Sequence, residues 1–515
     1  MINLFSQKWF RQIFHRRIQI ILMLLIQIVF FYYIVLSGSQ ASQYLTWLLT
    51  AISLFSALYI ISKKEKGAYK LTWVFLLLQF PLFGGLLYLL FNFQSSTKRF
   101  ANQIAVITQR TNHEFFRPQV GYEYAKTTIP MHFPQICYLQ DFAGFPIYTN
   151  TKTKYLSPGE TAFAVLKEEL EKAEKYIFLE YFIIQEGAMW NDILKILIKK
   201  AQSGVLVRII YDDMGCFLLL PKNYPEQLKK YGIECIVFNP FKPFLTVKQN
   251  NRDHRKIAVI DGKTAFTGGI NLADEYINAI EKFGHWKDCA VMIQGDATWS
   301  FTVMFLQMWE LCKNEPEDYQ KYYPYENSTY TDKTTGYVQP YADSPMDTEN
   351  VGEHVYLQII NNAKDYVYIY TPYLIIDDSM VSALTLAAKS GIDVRIITPH
   401  KWDRWVVHMT TRSYYRELIK AGVKIYEYSK GFLHAKTFVS DDMTATIGTT
   451  NLDFRSLYLH FECGVWLYNT TAVMELKNDF LHTLKECQPI TLKECTPNLF
   501  LRFFQDILRL FAPLM

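Results

Sequence analysis

The sequence predicts an α/β protein in which N-terminal transmembrane helices precede two duplicated α/β/α sandwich lobes. Three observations carry that expectation. The pattern H-x-K-x4-D, followed by Gly and Asn, occurs twice at identical internal spacing: His254, Lys256, Asp261, Gly268 and Asn271, then His434, Lys436, Asp441, Gly448 and Asn451. Matching SG-x-x-V-R-I-I blocks at 203–210 and 390–397 extend the repeat beyond those residues. The first hundred residues hold three long apolar stretches.

The chain opens with Lys8, Arg11, Arg16 and Arg17, and 18–36 then runs uncharged. An uncleaved anchor fits better than a signal peptide, because no small-residue cleavage site follows and further apolar segments do. The second segment, 44–61, is long enough to cross a bilayer with slight tilt. The third, 71–91, is broken by Pro81, Gly84 and Gly85, so it either spans with a kink or re-enters. The basic N-terminus and the lysines at 63, 64, 66 and 70 read as cytoplasmic, and the uncharged loop between the first two segments as outside. Three full spans put the rest of the chain outside the cytoplasm; a re-entrant third segment keeps it inside. Both remain open.

After this membrane region (1–95), a polar, irregular connector is expected over 96–140. The first lobe, 141–325, reads as helix (162–175), strand (175–184), helix (193–202) and strands at 203–213 and 231–238, leading into the first cassette. The second lobe, 344–490, repeats the order: strand 361–375, a helix ending at Lys389, strands 390–399 and 421–428, then the second cassette. Helices alternating with apolar strands imply a sheet covered on both faces. Residues 326–343, rich in Tyr, Thr and Asp, read as a linker, and 491–515 as an amphipathic tail that lies on a bilayer or packs on a lobe.

Half of the 515 residues are hydrophobic and 16% aromatic, which suits a lipid interface; the net charge of +4 is too small to imply nucleic acid. The eight cysteines are scattered without a C-x-x-C pair, so neither structural zinc nor a disulfide framework is expected. A His and a Lys two apart on a strand share a face. Imidazole serves as nucleophile or acid/base near neutral pH, and ammonium holds a phosphate as a point charge. Asn and the bare backbone of Gly can complete an anion cradle. One cassette offers half a site; two facing each other offer two imidazoles, two ammoniums and two amides around one phosphate.

The cassettes resemble the paired HKD motifs of the phospholipase D superfamily, and GTTNLDFRS (448–456) resembles the tail of its second motif. With the membrane region, nearly the whole chain resembles the bacterial cardiolipin synthases of that superfamily, which live in the cell membrane as multi-pass proteins. The resemblance implies phosphatidyl transfer between two phosphatidylglycerols, giving cardiolipin and glycerol through a phosphohistidine, with His254 as nucleophile and His434 as acid, then base. It implies no cofactor and no metal, with Lys256, Lys436, Asn271 and Asn451 neutralising charge and Gly268, Gly448 and Thr449 lining the phosphate. Phosphatidylglycerol and anionic membrane lipids are the expected partners, and nucleic acid is not. Asp288 and Glu462 match the acids that bond the catalytic imidazoles, each expected to support the histidine of its own lobe. Asp261 and Asp441 belong to the motif but are expected to tie loops. Where the family usually has Ser after the motif glycine, this chain has Gly269 and Thr449, which puts a hydroxyl contact in the first lobe in doubt. The alternatives are a hydrolytic phospholipase D, a transferase using another donor such as phosphatidylethanolamine, and a non-catalytic lipid-binding scaffold.

Overall fold

The computed structural model describes residues 25–26, 28–29, 32–33, 40–80, 88, 95–115, 121–241, 249–324 and 336–514. They divide into two units: Met1–Phe100 with Phe241–Asn250 and Arg509–Met515, and Ala101–Pro240 with Asn251–Leu508.

In the first unit, the helix Gln40–Ser62 carries no charged residue. Its stretch Ser42–Ser62 is, among the described residues, the one helix long and apolar enough to cross a membrane. The helix Gly67–Gln79, at 13 residues, is shorter than the ~20 a span requires. Ile60, Leu77 and Tyr88 form a small buried cluster with Trp73 and Val74 against it. Thr72 donates to the Leu510 carbonyl at 2.7 Å. Most of the expected segment 18–36, together with Pro81, Gly84 and Gly85, lies outside the described residues. They therefore support one membrane-length helix where the sequence led us to expect three.

The second unit holds both lobes. Strands of the first are β1 (Thr151–Leu156), β2 (Tyr176–Tyr181), β3 (Leu206–Asp212), β4 (Ile233–Phe238), β5 (Lys256–Ile260), β6 (Thr264–Gly268), β7 (His285–Lys287) and β8 (Ala290–Gly295). Those of the second are β9 (Tyr337–Asp343), β10 (Tyr366–Tyr370), β11 (Leu374–Ile375), β12 (Asp393–Pro399), β13 (Lys424–Tyr428), β14 (Gly431–Leu433), β15 (Thr437–Ser440), β16 (Thr444–Gly448), β17 (Leu452–Asp453), β18 (Glu462–Tyr468) and β19 (Cys487–Pro489). The first sheet runs β1-β8-β6-β5-β2-β3-β4, and the second β9-β18-β16-β15-β10-β12-β13-β19. Strand for strand the orders match, with β19 added, so the duplication read from the motifs is a duplication of topology.

Each sheet is covered on both faces. On β2, Ile177, Leu179 and Tyr181 join Trp190, Ile193 and Leu197 in one core cluster. Phe178 points the other way and stacks at 4.5 Å on Phe305 of the helix Thr298–Lys313. In the second lobe, Tyr356 stacks on Phe438 at 4.2 Å and Phe480 on Tyr368 at 4.8 Å, from opposite sides.

Two expectations are corrected. The connector over 96–140 is helical, not irregular: Ser95–Phe115, Gly121–Thr128 and Phe133–Cys137. The linker expected over 326–343 ends early, because Tyr337–Asp343 is β9, paired antiparallel with β18. Pro340 disguised it; proline is tolerated there because β9 is the edge strand of its sheet.

Candidate active site

The two cassettes meet where β6 and β8 approach β16 and β18. Each histidine is delivered by a short parallel pairing between lobes. Asp253 bridges Phe461, the His254 amide donates to the Phe461 carbonyl and the Phe461 amide to the Arg252 carbonyl, both at 2.9 Å. In the same way β14 pairs with β7, setting Leu433 beside Lys287, and the His434 amide donates to the Lys287 carbonyl at 2.7 Å. In both places the residue before a histidine lies beside the residue before an acid of the other lobe.

The acids are therefore exchanged. His254 Nδ1 lies 2.9 and 3.0 Å from the Glu462 oxygens, and His434 Nδ1 lies 2.7 Å from Asp288 Oδ2. This corrects the expectation that each acid serves its own lobe's histidine. Within a lobe, histidine and acid sit on chain segments that the sheet keeps apart; across the seam the parallel pairs set them side by side.

Both imidazoles and both motif lysines are buried. Burial, then the Lys256 and Lys436 charges, pushes the His254 pKa well down. Burial and Lys436 bring His434 down to about 4, against the pull of Asp288. Burial lowers Lys256 to about 8 and Lys436 to about 7. Asp288 is pulled up by burial, yet the His434 and Lys436 charges and the Cys289 amide hold it below the usual carboxylate range. The site thus carries less positive charge than its residue types suggest. Lys256 Nζ folds back to the His254 carbonyl at 2.5 Å, and Lys436 likewise donates to the His434 carbonyl.

The other expected residues fall into two groups. Asp261 and Asp441 stand just past the far ends of β5 and β15, seven residues from the histidines and so up to about 23 Å away at ~3.3 Å per residue. Each is left-handed (φ 53° and 54°) and accepts three backbone N–H bonds, Asp261 from Glu174, Lys175 and Tyr176, Asp441 from Lys364, Asp365 and Tyr366. Motif members though they are, they take no part at the histidines, and the loop-tying role expected of them is what the geometry displays. Gly268 and Gly448 answer to crowding: a Cβ would lie 2.4 Å from the Cys289 carbonyl oxygen or 2.6 Å from that of Cys463.

Asn271 is engaged rather than free for phosphate. It accepts from the Ile183 amide at 3.0 Å and donates to Tyr276 Oη at 2.7 Å, and the Tyr276 ring lies 5.5 Å from His434. Asn451 binds Asp453 while its Oδ1 is buried without a partner. The Thr449 hydroxyl donates to Glu462, not toward a phosphate. In the first lobe, Asp288 fills the corresponding space: a Cβ on residue 269 would lie 2.0 Å from Asp288 Oδ1.

Several contributors escaped the sequence reading. Ser456 Oγ donates to Glu462 Oε1 at 2.7 Å. Arg252 clasps Asp212 through Nε and Nη2 at 2.7–3.0 Å, and the Asp253 amide joins at 3.1 Å. Arg255 pairs with Glu180 at 2.5 Å. His254, His460 and Glu462 also place three ligand-type atoms within 4.8 Å of one another, a cluster the sequence did not reveal. A metal fits it poorly, because both Glu462 oxygens already accept from His254, Ser456 and Thr449. Only their shared NLDFRS stretch, in the case of Ser456, offered any sequence signal.

Two facing His-x-Lys strands with buried, carboxylate-braced imidazoles define a phospholipase D-like protein. Residues 166–309 and 356–484 match the family described as cardiolipin synthase, PLD-like domain, and 47–91 match the phospholipase D-nuclease N-terminal family. A cardiolipin synthase of Geobacillus sp. (strain WCH70) is 37% identical over 92% of this chain and 94% of its own. A cardiolipin synthase 2 of Bacillus anthracis is 37% identical over 86% of both chains. An uncharacterized Streptococcus mutans protein is 46% identical over 85% of this chain and 94% of its own. The phosphatidylserine synthase of Haemophilus influenzae shares the fold, with a TM-score of 0.54 at 16% identity, covering 73% of this chain and 96% of that one. The chain belongs to the cardiolipin synthase family of phospholipase D-like enzymes.

Proposed function

We propose that this phosphatidyltransferase joins two phosphatidylglycerols into cardiolipin and releases glycerol. The observation that carries the reading is the pair of buried imidazoles at one seam, each braced by a carboxylate and flanked by a lysine. With Nδ1 held, Nε2 is the nitrogen left to react. His254 attacks phosphorus, the bond to the headgroup glycerol oxygen breaks, and His434 gives that oxygen its proton. The second lipid's hydroxyl then loses its proton to His434 and attacks phosphorus, freeing His254. One diester replaces another, so the cycle balances without nucleotide. A bound phosphodiester offsets the ammonium charges that depress His434, which lets it hold the proton that the first step needs.

Three features support His434 as the acid–base partner. Its Asp288 bond, at 2.7 Å, is shorter than the His254–Glu462 contacts. Glu462 is weakened as a base by hydroxyls from Thr449 and Ser456. Burial and both lysines push His254 down, whereas Asp288 pulls His434 back up. The uncharged stretches 18–36 and 71–91 support a multi-pass arrangement around Ser42–Ser62. We divide the chain into a membrane region to residue 95, a helical connector to 140, a first lobe to 325, a second lobe from β9 to 490, and an amphipathic tail.

The test is labelled phosphatidylglycerol alone in vesicles, with EDTA and no nucleotide. Cardiolipin and glycerol should appear in equal amounts, and cardiolipin plus excess glycerol should regenerate phosphatidylglycerol. Phosphatidic acid as the main product would instead mean hydrolysis. Loss of activity in EDTA, restored by a divalent ion, would also contradict the scheme.

A further inference from the structure

His460 lies at the seam beside His254, and the scheme above has no use for it. Its place is set by the first lobe: Asn251 Nδ2 donates to the neighbouring Leu459 carbonyl at 3.1 Å, and Phe461 is paired at both its amide and its carbonyl. The side chain is 8% exposed, and neither ring nitrogen has a hydrogen-bond partner. Glu462 Oε1 is 3.8 Å from Nδ1, close enough to attract but too far to bond. The ring centre lies 5.5 Å from that of His254, with the planes tilted by 42°. A buried polar ring with two unmet nitrogens, packed directly against a reacting imidazole, leaves a donor and an acceptor for a group that enters the site.

We infer that His460 binds a hydroxyl of the polyol headgroup, both on the leaving glycerol and on the incoming acceptor. The inference rests on the proposed phosphatidyl transfer and adds to it what selects the alcohol. Burial drives the His460 pKa down to about 3, so the ring is neutral, with one N–H to donate and one lone pair to accept. A neutral imidazole adds little for the phosphate, whose charge the two lysines meet. An alcohol hydroxyl both donates and accepts, and matches the ring on either nitrogen. Glycerol has hydroxyls to spare beyond the one that reacts; a simple monohydric alcohol does not. A site built to hydrogen-bond a hydroxyl discriminates strongly against an analogue lacking it, because its own buried polar groups are then left unpaired.

The experiment compares the full-length wild type with His460→Leu and His460→Asn, using cardiolipin as donor and either glycerol or 1-propanol as acceptor. Wild type should prefer glycerol. His460→Leu should lose at least tenfold of that preference, mainly through a raised KM for glycerol, while Asn, which keeps a donor and an acceptor, restores part of it. The burst of p-nitrophenol from bis(p-nitrophenyl) phosphate, whose leaving group has no spare hydroxyl, should persist in both variants and shows that they are folded. An unchanged preference in His460→Leu overturns the inference, as does an equal fall with both acceptors. If wild type makes no cardiolipin from phosphatidylglycerol, the proposed function fails first, and that outcome is read separately.

Discussion

The two cassettes offer the same five residues yet are held differently, although Phe182 packs 5.1 Å from the His254 ring. Around His254 the chain reads Arg252-Asp253-His254-Arg255, and charge fixes it: Arg252 to Asp212, Arg255 to Glu180 and Asp253. Around His434 it reads Phe432-Leu433-His434-Ala435, and packing fixes it, with Trp286, Tyr276 and Phe432 rings centred 5.3–6.0 Å from the imidazole. The bracing acids differ too. Glu462 takes two hydroxyls besides its histidine, whereas Asp288 takes only the Cys289 amide among the described hydrogen bonds. A duplicated motif thus does not make duplicate groups: surroundings alone can set one imidazole as nucleophile and the other as acid and base.

The largest effect that would break this comparison comes from the histidines. His254→Ala and His434→Ala should each lose on the order of 10³-fold or more in turnover. With bis(p-nitrophenyl) phosphate, which needs no acid to expel its leaving group, His434→Ala should still form a phosphoryl adduct and then stall. His254→Ala should form none. Mass spectrometry after brief exposure checks this, and an adduct on His434 in the His254→Ala protein would reverse the roles.

Next in size are the two ways of holding the loop. Arg252→Ala leaves the buried Asp212 carboxylate without its counter-charge and should cost about 3–5 kcal/mol at neutral pH. Phe432→Ala should cost a similar amount, about 3–5 kcal/mol, through lost packing. They separate with pH. Burial already raises Asp212 to about 6 with Arg252 present, and removing the guanidinium raises it further. Protonation then relieves the buried charge, so the Arg252→Ala penalty should shrink between pH 8 and pH 5 while the Phe432→Ala penalty stays constant. Thermal unfolding at both pH values reads the difference.

Exchanging the residues after the motif glycines sharpens the contrast between the acids. Gly269→Ala drives a methyl into Asp288 and should cut turnover on the order of 100-fold while sparing adduct formation, since His254 leans on Glu462. Thr449→Gly removes one donor to Glu462 and should slow adduct formation by about tenfold, the equivalent of about 1–1.5 kcal/mol. Rapid-quench kinetics distinguishes the two steps.

The smallest effect is a proton count. Burial lowers Lys256 to about 8 and Lys436 to about 7 in the folded chain, against about 10.4 when unfolded. Between those values the unfolded chain holds more protons, so the stability of the empty enzyme rises with pH across that window. An anionic phosphodiester restores the lysine charge. Binding at pH 8.5 should therefore take up about one to two protons, seen as a buffer-dependent binding enthalpy; no uptake would mean that the lysines are already charged.

Much of this was legible in the sequence, and the rest was hidden for physical reasons. Every cassette residue was readable, because identical spacing in two copies is a one-dimensional signal, and both acids were readable through the family resemblance. The exchange of acids was not, since it depends on a single bridge at Asp253 and the three-residue strands β7 and β14, too short to show periodicity. The same holds for Asn271, whose amide looks free for phosphate until Tyr276 is placed against it. The helix Ser95–Phe115 was read as irregular because Asn, Gln and Thr separate Phe100, Ile104, Ile107 and Phe115, whose spacing is helical. His460 carried no signal at all; only its burial without partners marks it.

The central claim is that each histidine is braced by the carboxylate of the other lobe. The isosteric variants Glu462→Gln and Asp288→Asn test it most directly, scored beside the two histidine variants for adduct formation and adduct decay with bis(p-nitrophenyl) phosphate. Glu462→Gln should share the defect of His254→Ala, slow adduct formation, and Asp288→Asn that of His434→Ala, an adduct that forms and persists. The matching of defects does not depend on which histidine is the nucleophile. If Glu462→Gln instead behaves like His434→Ala, and Asp288→Asn like His254→Ala, each acid serves its own lobe and the exchange is refuted.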